Sequence, residues 1–311
     1  MTLPYNDYGS AMRRTLGGRV QKLAIDADMS CPNRDGTLGS GGCTFCLNDA
    51  FSPAYCKHSA TITEQIERGI DFHHSRRRIA DKYLAYFQTG SNTFAPINTL
   101  QNIYREALDN PNISGIIVGT RPDCIDSEIL DLLEHIAKEK YVAVEYGIES
   151  VYDATLNRVN RGHDFASAQH AVTITRERGI DVGAHFILGL PGESRADIVR
   201  AIATINTLGI SSIKFHQLQI YRNTPIEREF RAHPEDFLFG SDYATEQYVS
   251  LMVDILRNLD PAIAVERFVS QAPHNLISHS PFGGIRPDKV VAMVVNKMLT
   301  LGAVQGDMAQ K

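Results

Sequence analysis

Apolar runs of strand length alternate with amphipathic helical stretches through the first two thirds of the chain, and this restricts the fold more than any other feature. Strand-like runs fall at 19–27, 83–89, 113–119, 141–150, 181–189 and 211–220. The stretches between them carry helix start and stop signals. Asp126 is placed to cap a helix with Ile129, Leu132, Leu133 and Ile136 on one face. Pro96 suits a first helical turn ahead of Leu100, Ile103, Tyr104 and Ala107. Ser194 and Asp197 have capping-box spacing, and Gly209 ends the helix they start. A strand–helix unit repeated six times predicts a parallel sheet with right-handed crossovers. An open doubly wound sheet and a barrel both satisfy that pattern, and six units are two short of a closed barrel. The expected fold is α/β, a partial (β/α)6 TIM-type barrel over residues 15–220. After Ile220 the rhythm breaks into a polar, proline-punctuated connection, then a helix at 244–259, a short strand at 263–269 and a last helix from Asp288. Residues 221–311 are expected to form an α+β extension that closes the barrel and contributes to the substrate site.

No N-terminal segment has the basic-then-apolar order of a secretory signal. The longest late apolar stretch, VVAMVVNKMLTLGAV, is too short to span a bilayer and carries Lys297. The expectation is therefore a cytoplasmic protein with no membrane partner, in a compartment where thiols stay reduced. A net charge of −5 gives no global attraction to nucleic acid, so such a partner would need a local basic patch.

Three of the five cysteines fall in SCPNRDGTLGSGGCTFCLND (30–49), a polar, glycine-rich segment unsuited to a core. Close spacing and an odd count in a reducing compartment point to metal or catalysis rather than disulfides. Cys31, Cys43 and Cys46 could ligate zinc, for which Cys56 or His58 would be the nearest fourth ligand. They could also hold an iron–sulfur cluster, leaving one iron without a protein ligand. Phe45, beside the last cysteine, could shield such a cluster. Because the segment follows the first strand, it belongs at the carboxyl ends of the barrel strands, where active sites are found. Cys56 and Cys124 stand in unlike contexts and read as ordinary thiols.

Three clustered cysteines with an aromatic residue before the third, after the first strand of a six-unit barrel, resemble a radical S-adenosylmethionine (SAM) enzyme. The eleven residues between Cys31 and Cys43 exceed the usual superfamily spacing but resemble the branch that includes the catalytic subunit of Elongator. VEYGIESV (144–151), NRVNRGHDF (157–165), HFILGLPGES (185–194) and KFHQLQIYRNTPI (214–226) are similar to that branch in content and order, and most similar to bacterial YhcC/YtqA-type proteins. The resemblance implies one 4Fe–4S cluster on Cys31, Cys43 and Cys46, with SAM on the open iron.

It also implies a pocket. Gln88, Thr89 and Gly90 stand where many members carry a glycine–glycine–glutamate turn, here without the acid. Glu145, Gly147 and Glu149 share one strand face by their period of two. The resemblance gives Glu149 and Ser150 to SAM, while Glu145 reads equally well as half of a structural salt bridge. Arg161 is the guanidinium best suited to the SAM carboxylate, and the turn bearing Gly189, Gly192 and Glu193 the contact to adenine or ribose. Lys214 and His216 share a strand face taken as inward.

The implied reaction is reductive cleavage of SAM, with an electron from an external one-electron reductant. The resulting 5′-deoxyadenosyl radical abstracts hydrogen from the substrate. The branch implies wobble-uridine modification in tRNA, from 5-carboxymethylaminomethyluridine toward the aminomethyl form. Arg13, Arg14, Arg19, Lys22 and Arg76 to Arg78 are the basic residues available to a tRNA, and that role would place the arginines beside the pocket mouth. A small-metabolite substrate, or a cluster-bearing binding protein that never cleaves SAM, are the alternatives.

Overall fold

The computed structural model describes residues 3–47, 53–56, 60–239, 244–270 and 272–309. Helix α1 (Tyr8–Leu16) leads into β1 (Val20–Ile25), followed by α2 (Ile62–Ser75), β2 (Lys82–Phe87), α3 (Ile97–Leu108) and β3 (Ile113–Thr120). Next come α4 (Ser127–Ala137), β4 (Tyr141–Glu149), α5 (Asp153–Arg158), α6 (Phe165–Glu177), β5 (Asp181–Leu188), α7 (Arg195–Thr207) and β6 (Ser212–Gln217). Then follow β7 (Ile220–Tyr221), α8 (Pro225–Ala232), α9 (Thr245–Asn258), β8 (Ala264–Arg267), β9 (Ile277–His279) and α10 (Pro287–Leu301).

The local signals act as chemistry requires. Asp126 accepts the Ile129 N–H at 2.9 Å, and Ser194 with Asp197 forms a reciprocal capping box on α7. Gly209 follows the α7 C-cap at φ +76°. Pro96 is the N-cap of α3 rather than a residue of its first turn.

Seven parallel strands in the order β1-β2-β3-β4-β5-β6-β8 curl into a half-barrel. Six are those read from the alternation. The seventh, β8, comes from the segment expected to be extension, and pairs with β6 from Ser212↔Ala264 onward. A parallel neighbour there satisfies backbone groups that β6 would otherwise leave open. Both outer edges are covered. Val265 N–H donates to Asn6 O at 2.8 Å beside β8. On β1, Ala24 N–H donates to Tyr55 Oη at 2.9 Å and Cys56 Sγ to Ala24 O at 3.2 Å.

The barrel interior is layered. At the amino ends of the strands, Met12 of α1 packs with Leu84, Tyr86, Ile117 and Ala143, joined by Tyr8 and Leu16, so α1 plugs the floor. The sparse apolar spacing of YGSAMRRTL concealed this helix, although Asp7 caps it. Above the plug lies an ion network. Glu145, 2% exposed, accepts from Lys22 Nζ at 2.6 Å, Lys214 Nζ at 2.5 Å and His185 Nε2 at 2.9 Å. Glu266 also pairs with Lys22, and with Lys214 at 3.3 Å. Burial alone would raise the Glu145 pKa, but Lys214, Lys22 and His185 outweigh it and hold the carboxyl well below its usual range.

Lys22 is on β1 and Glu266 on β8, so this network ties the two edge strands across the open seam. Breaking a buried pair leaves an uncompensated charge and costs about 3–5 kcal/mol. Glu145→Gln is expected to lose stability on that scale, read from the midpoint of denaturant unfolding at unchanged slope. A variant within about 0.5 kcal/mol of the parent would show that the seam is closed by other contacts.

Candidate functional site

Above the ion network the half-barrel holds a cavity of about 250 Å³ at the carboxyl ends of its strands. Its walls include Cys31, Cys43, Cys46, Gln88, Thr89, Gly90, Glu149 and Arg161, so these expected residues converge on one space. Lys214 and His216 line it as well. Ser150, Gly189 and Gly192 lie outside that wall. Ser150 Oγ donates to Glu193 Oε1 at 2.5 Å, behind Glu149, and Gly189 backs onto the Phe239 ring.

The cysteine segment is strapped to the barrel by several hydrogen bonds. Thr44 N–H donates to Val159 O at 3.0 Å, and Ile226 N–H at the start of α8 donates to Thr44 O at 3.1 Å. Asn33 Nδ2 donates to Asn160 O at 2.6 Å, and Asn160 Nδ2 to Gly42 O at 2.8 Å. Cys46 N–H donates to Cys43 O at 3.0 Å, closing a turn that holds both thiols on one side. N–H groups surround the sulfurs: Arg161 Nη1 lies 3.6 Å and Asn33 Nδ2 3.7 Å from Cys43 Sγ, and Arg34 Nη1 3.9 Å from Cys46 Sγ. Burial and the neighbouring Cys43 push the Cys46 thiol up to about 11, against Arg34 and Arg161. Among the described residues, no three Cys, His, Asp or Glu side chains close around a point the size of one metal ion. Three thiols on one segment match a cluster that keeps one iron open, whereas a structural zinc takes four protein ligands. Cys56 and Cys124 are buried elsewhere, each pushed up to about 12 by burial, and His58 lies outside the described residues.

Opposite the thiols stand two buried guanidiniums. Arg161 Nη2 donates to Gly147 O and lies 3.8 Å from Glu149 Oε1. Arg121, 3% exposed, grips Asp123 through Nε and Nη2 at 2.8 and 2.7 Å. Arg161 Nε and Arg121 Nη1 are buried without a hydrogen-bond partner. Unmade bonds on buried cations are costly, so both point to an anionic ligand. Burial raises the Glu149 pKa against the pull of Arg161 and Arg121. Its backbone has φ +74°, just past a register slip between β4 and β5 at Gly147/Glu149. Such strain in a non-glycine residue is characteristic of functional sites. Arg121 was not singled out in the sequence; its position directly after β3, at a strand carboxyl end, was the available signal.

A model of the Radical SAM superfamily matches residues 36–205, and a model of the Radical_SAM C-terminal domain matches 210–299. The chain belongs to the radical SAM superfamily. Protein YhcC of Escherichia coli is 36% identical over 268 residues, covering 86% of this chain and 84% of that protein. YtqA of Bacillus subtilis is 30% identical, over 99% of this chain and 93% of its own. Human Elongator complex protein 3 is 24% identical across 79% of this chain and 43% of its own. Among solved structures, the archaeal Methanocaldococcus infernus Elp3 with an N-terminal deletion has the same fold, at TM-score 0.68 and 16% identity, over 92% of this chain and 64% of that one. This radical SAM enzyme therefore sits in the Elongator-like branch, and its superfamily uses a 4Fe–4S cluster on three cysteines together with SAM.

Gly90 sets the approach of the β2 turn to the cysteine segment. It has φ +76°, and a Cβ there would stand 2.2 Å from Met29 O. Gly90→Ala is expected to cost at least about 2 kcal/mol through strain and clash, measured by denaturant unfolding. A thermodynamically silent Gly90→Ala would mean that this turn moves freely.

Proposed function

We propose that Cys31, Cys43 and Cys46 hold the 4Fe–4S cluster and that SAM occupies the cavity between them and the ion network. The observation that supports this is the convergence of three thiols, two guanidiniums with unmade hydrogen bonds, and Glu149 on one space. Arg161 and Arg121 would take the SAM carboxylate, since a guanidinium matches a carboxylate in shape and charge. Glu149 and the polar turn Gln88, Thr89 and Gly90 would take its amino group. When bound and reduced from an external one-electron donor, the cluster and SAM supply a 5′-deoxyadenosyl radical, which takes a hydrogen atom from the substrate. The residues of the chain orient the reactants and exclude water: α1 seals the floor and the helices surround the sheet, leaving entry at the strand carboxyl ends.

For the substrate, the reading that the Elongator-like branch supports is a wobble uridine of tRNA bearing a carboxymethylaminomethyl group. The basic residues expected to carry the tRNA do not stand at the mouth. Arg13 and Arg14 lie on the floor helix, and Arg19 and Arg76 to Arg78 immediately before β1 and β2, all at the amino ends of the strands. Arg34 and Arg267 on the cavity wall, and Arg222 close to it in sequence, are exposed cations on that side among the described residues. The opposite-face placement favours a second reading, a small metabolite that enters the cavity whole.

Replacing Cys31, Cys43 or Cys46 by Ala is expected to abolish iron and sulfide binding, whereas Cys56→Ala and Cys124→Ala retain both, measured by metal and sulfide content of anaerobic protein. Loss of the cluster in Cys56→Ala would contradict the three-ligand assignment.

Arg121→Gln is expected to weaken SAM binding at least tenfold, about 1.4 kcal/mol, with iron content unchanged. For the substrate, tRNA nucleosides from cells lacking the protein are expected to accumulate 5-carboxymethylaminomethyluridine, by mass spectrometry. An unchanged nucleoside profile together with no tRNA-dependent SAM turnover would favour the metabolite.

A further inference from the structure

We propose that the side-chain amide of Asn33 raises the reduction potential of the cluster by donating a hydrogen bond to the Cys43 sulfur; this rests on the cluster being held by Cys31, Cys43 and Cys46. Asn33 lies between the first two cysteines and is 2% exposed, and Cys43 is 6% exposed. An amide nitrogen carries two hydrogens. One of those on Asn33 Nδ2 goes to Asn160 O at 2.6 Å, and the other faces Cys43 Sγ at 3.7 Å. A carbonyl oxygen only accepts, so the Asn160 contact fixes which end of the Asn33 amide is the nitrogen.

The donor is held in place from several directions. Asn33 O accepts the Gly42 N–H at 2.8 Å, and Asn160 Nδ2 donates to Gly42 O at 2.8 Å. Both peptide bonds of Gly42, the residue before Cys43, are thus tied to the same two asparagines. A Cβ at Gly39 would stand 2.6 Å from Asn33 Oδ1, so the segment closes on the amide only because that residue is glycine. Asn160 has φ +52°, a left-handed conformation that asparagine adopts more readily than most residues. Other donors near the sulfurs answer to other groups. Arg161 Nη1 is 3.6 Å from Cys43 Sγ, but the same guanidinium serves Gly147 O and Glu149 and has Nε turned to a ligand. Arg34, 3.9 Å from Cys46 Sγ, is exposed, so water and salt screen its charge. Reduction adds one negative charge to a cluster and its thiolates. A hydrogen bond to sulfur offsets part of that charge and favours the reduced form, most strongly where water is absent. The Asn33 amide therefore eases the loading of an electron from an external donor.

The test uses the anaerobic protein with its cluster and without SAM. Iron and sulfide content of the parent come first; their absence would overturn the cluster assignment and this inference together. Redox titration followed by electron paramagnetic resonance then reads the potential. Asn33→Ala is expected to lower the ratio of reduced to oxidised cluster at a fixed applied potential at least threefold, about 28 mV at roughly 59 mV per tenfold for one electron. Asn160→Gly removes the strap to Gly42 but keeps the left-handed backbone and the carbonyl that holds Asn33. It is expected to lose stability with a potential shift less than half as large. An unchanged potential in Asn33→Ala, or an equal shift in Asn160→Gly, overturns the amide's role and leaves the three-cysteine cluster standing. Should Asn33→Ala fail to hold a cluster, pulsed resonance of the reduced parent decides. With the asparagine side-chain amides labelled with nitrogen-15, a coupling of that nucleus to the cluster is expected, and its absence overturns the assignment.

Discussion

Glu145 is the charge around which this half-barrel is organised. An open seven-stranded sheet has two edges that nothing in its hydrogen-bond ladder brings together. Here a carboxylate on the middle strand, β4, draws Lys22 from β1 and Lys214 from β6 to itself, and Glu266 from β8 completes the circuit. Each member is costly to bury alone, and the geometry compensates because every member has partners. The curvature that results makes a cavity possible, since a flatter sheet would expose the same residues to water.

The network also divides the interior into two chemically different layers. Below it, Leu84, Ile117 and Ala143 meet the apolar face of α1, a dry plug. Above it, the walls carry thiols, guanidiniums and imidazoles with donors left over. Buried polar groups without partners normally count against a structure. Those found at Arg121, Arg161 and His216 line one cavity of an enzyme that binds a charged cofactor and a substrate, so a ligand is their natural complement.

Most of the barrel was legible because parallel strands buried on both faces leave near-continuous apolar runs. Each of the six strands lies within a few residues of its expected bounds. The cysteine segment was legible because its residues are wrong for a core. The segment 263–269 was recognised as a strand, but its place as the seventh member of the sheet was not, since register with Ser212 and Ile213 leaves no mark in local sequence. Helix α8 was hidden among prolines, although Thr224 caps it and Pro225 stands at its first position. Ser150, Gly189 and Gly192 show a different limit: a motif places residues near a site without stating which of them faces the ligand.

Two register slips explain much of what sequence could not show. A regular strand alternates its side chains, so a residue and its neighbour cannot both face the barrel interior. One extra residue in a strand breaks that rule locally. On β4 the slip before Glu149, with its φ of +74°, turns that carboxylate toward Arg161 and the cysteine segment. On β8 the slip at Glu266 lets a carboxylate serve the ion network while the next residue, Arg267, enters the cavity. Both slips border one space, with Glu149 and Arg267 each on its wall. A fold indifferent to ligands would gain by regular strands at both places. Their irregularity shapes the wall of the cavity that we propose as the SAM site.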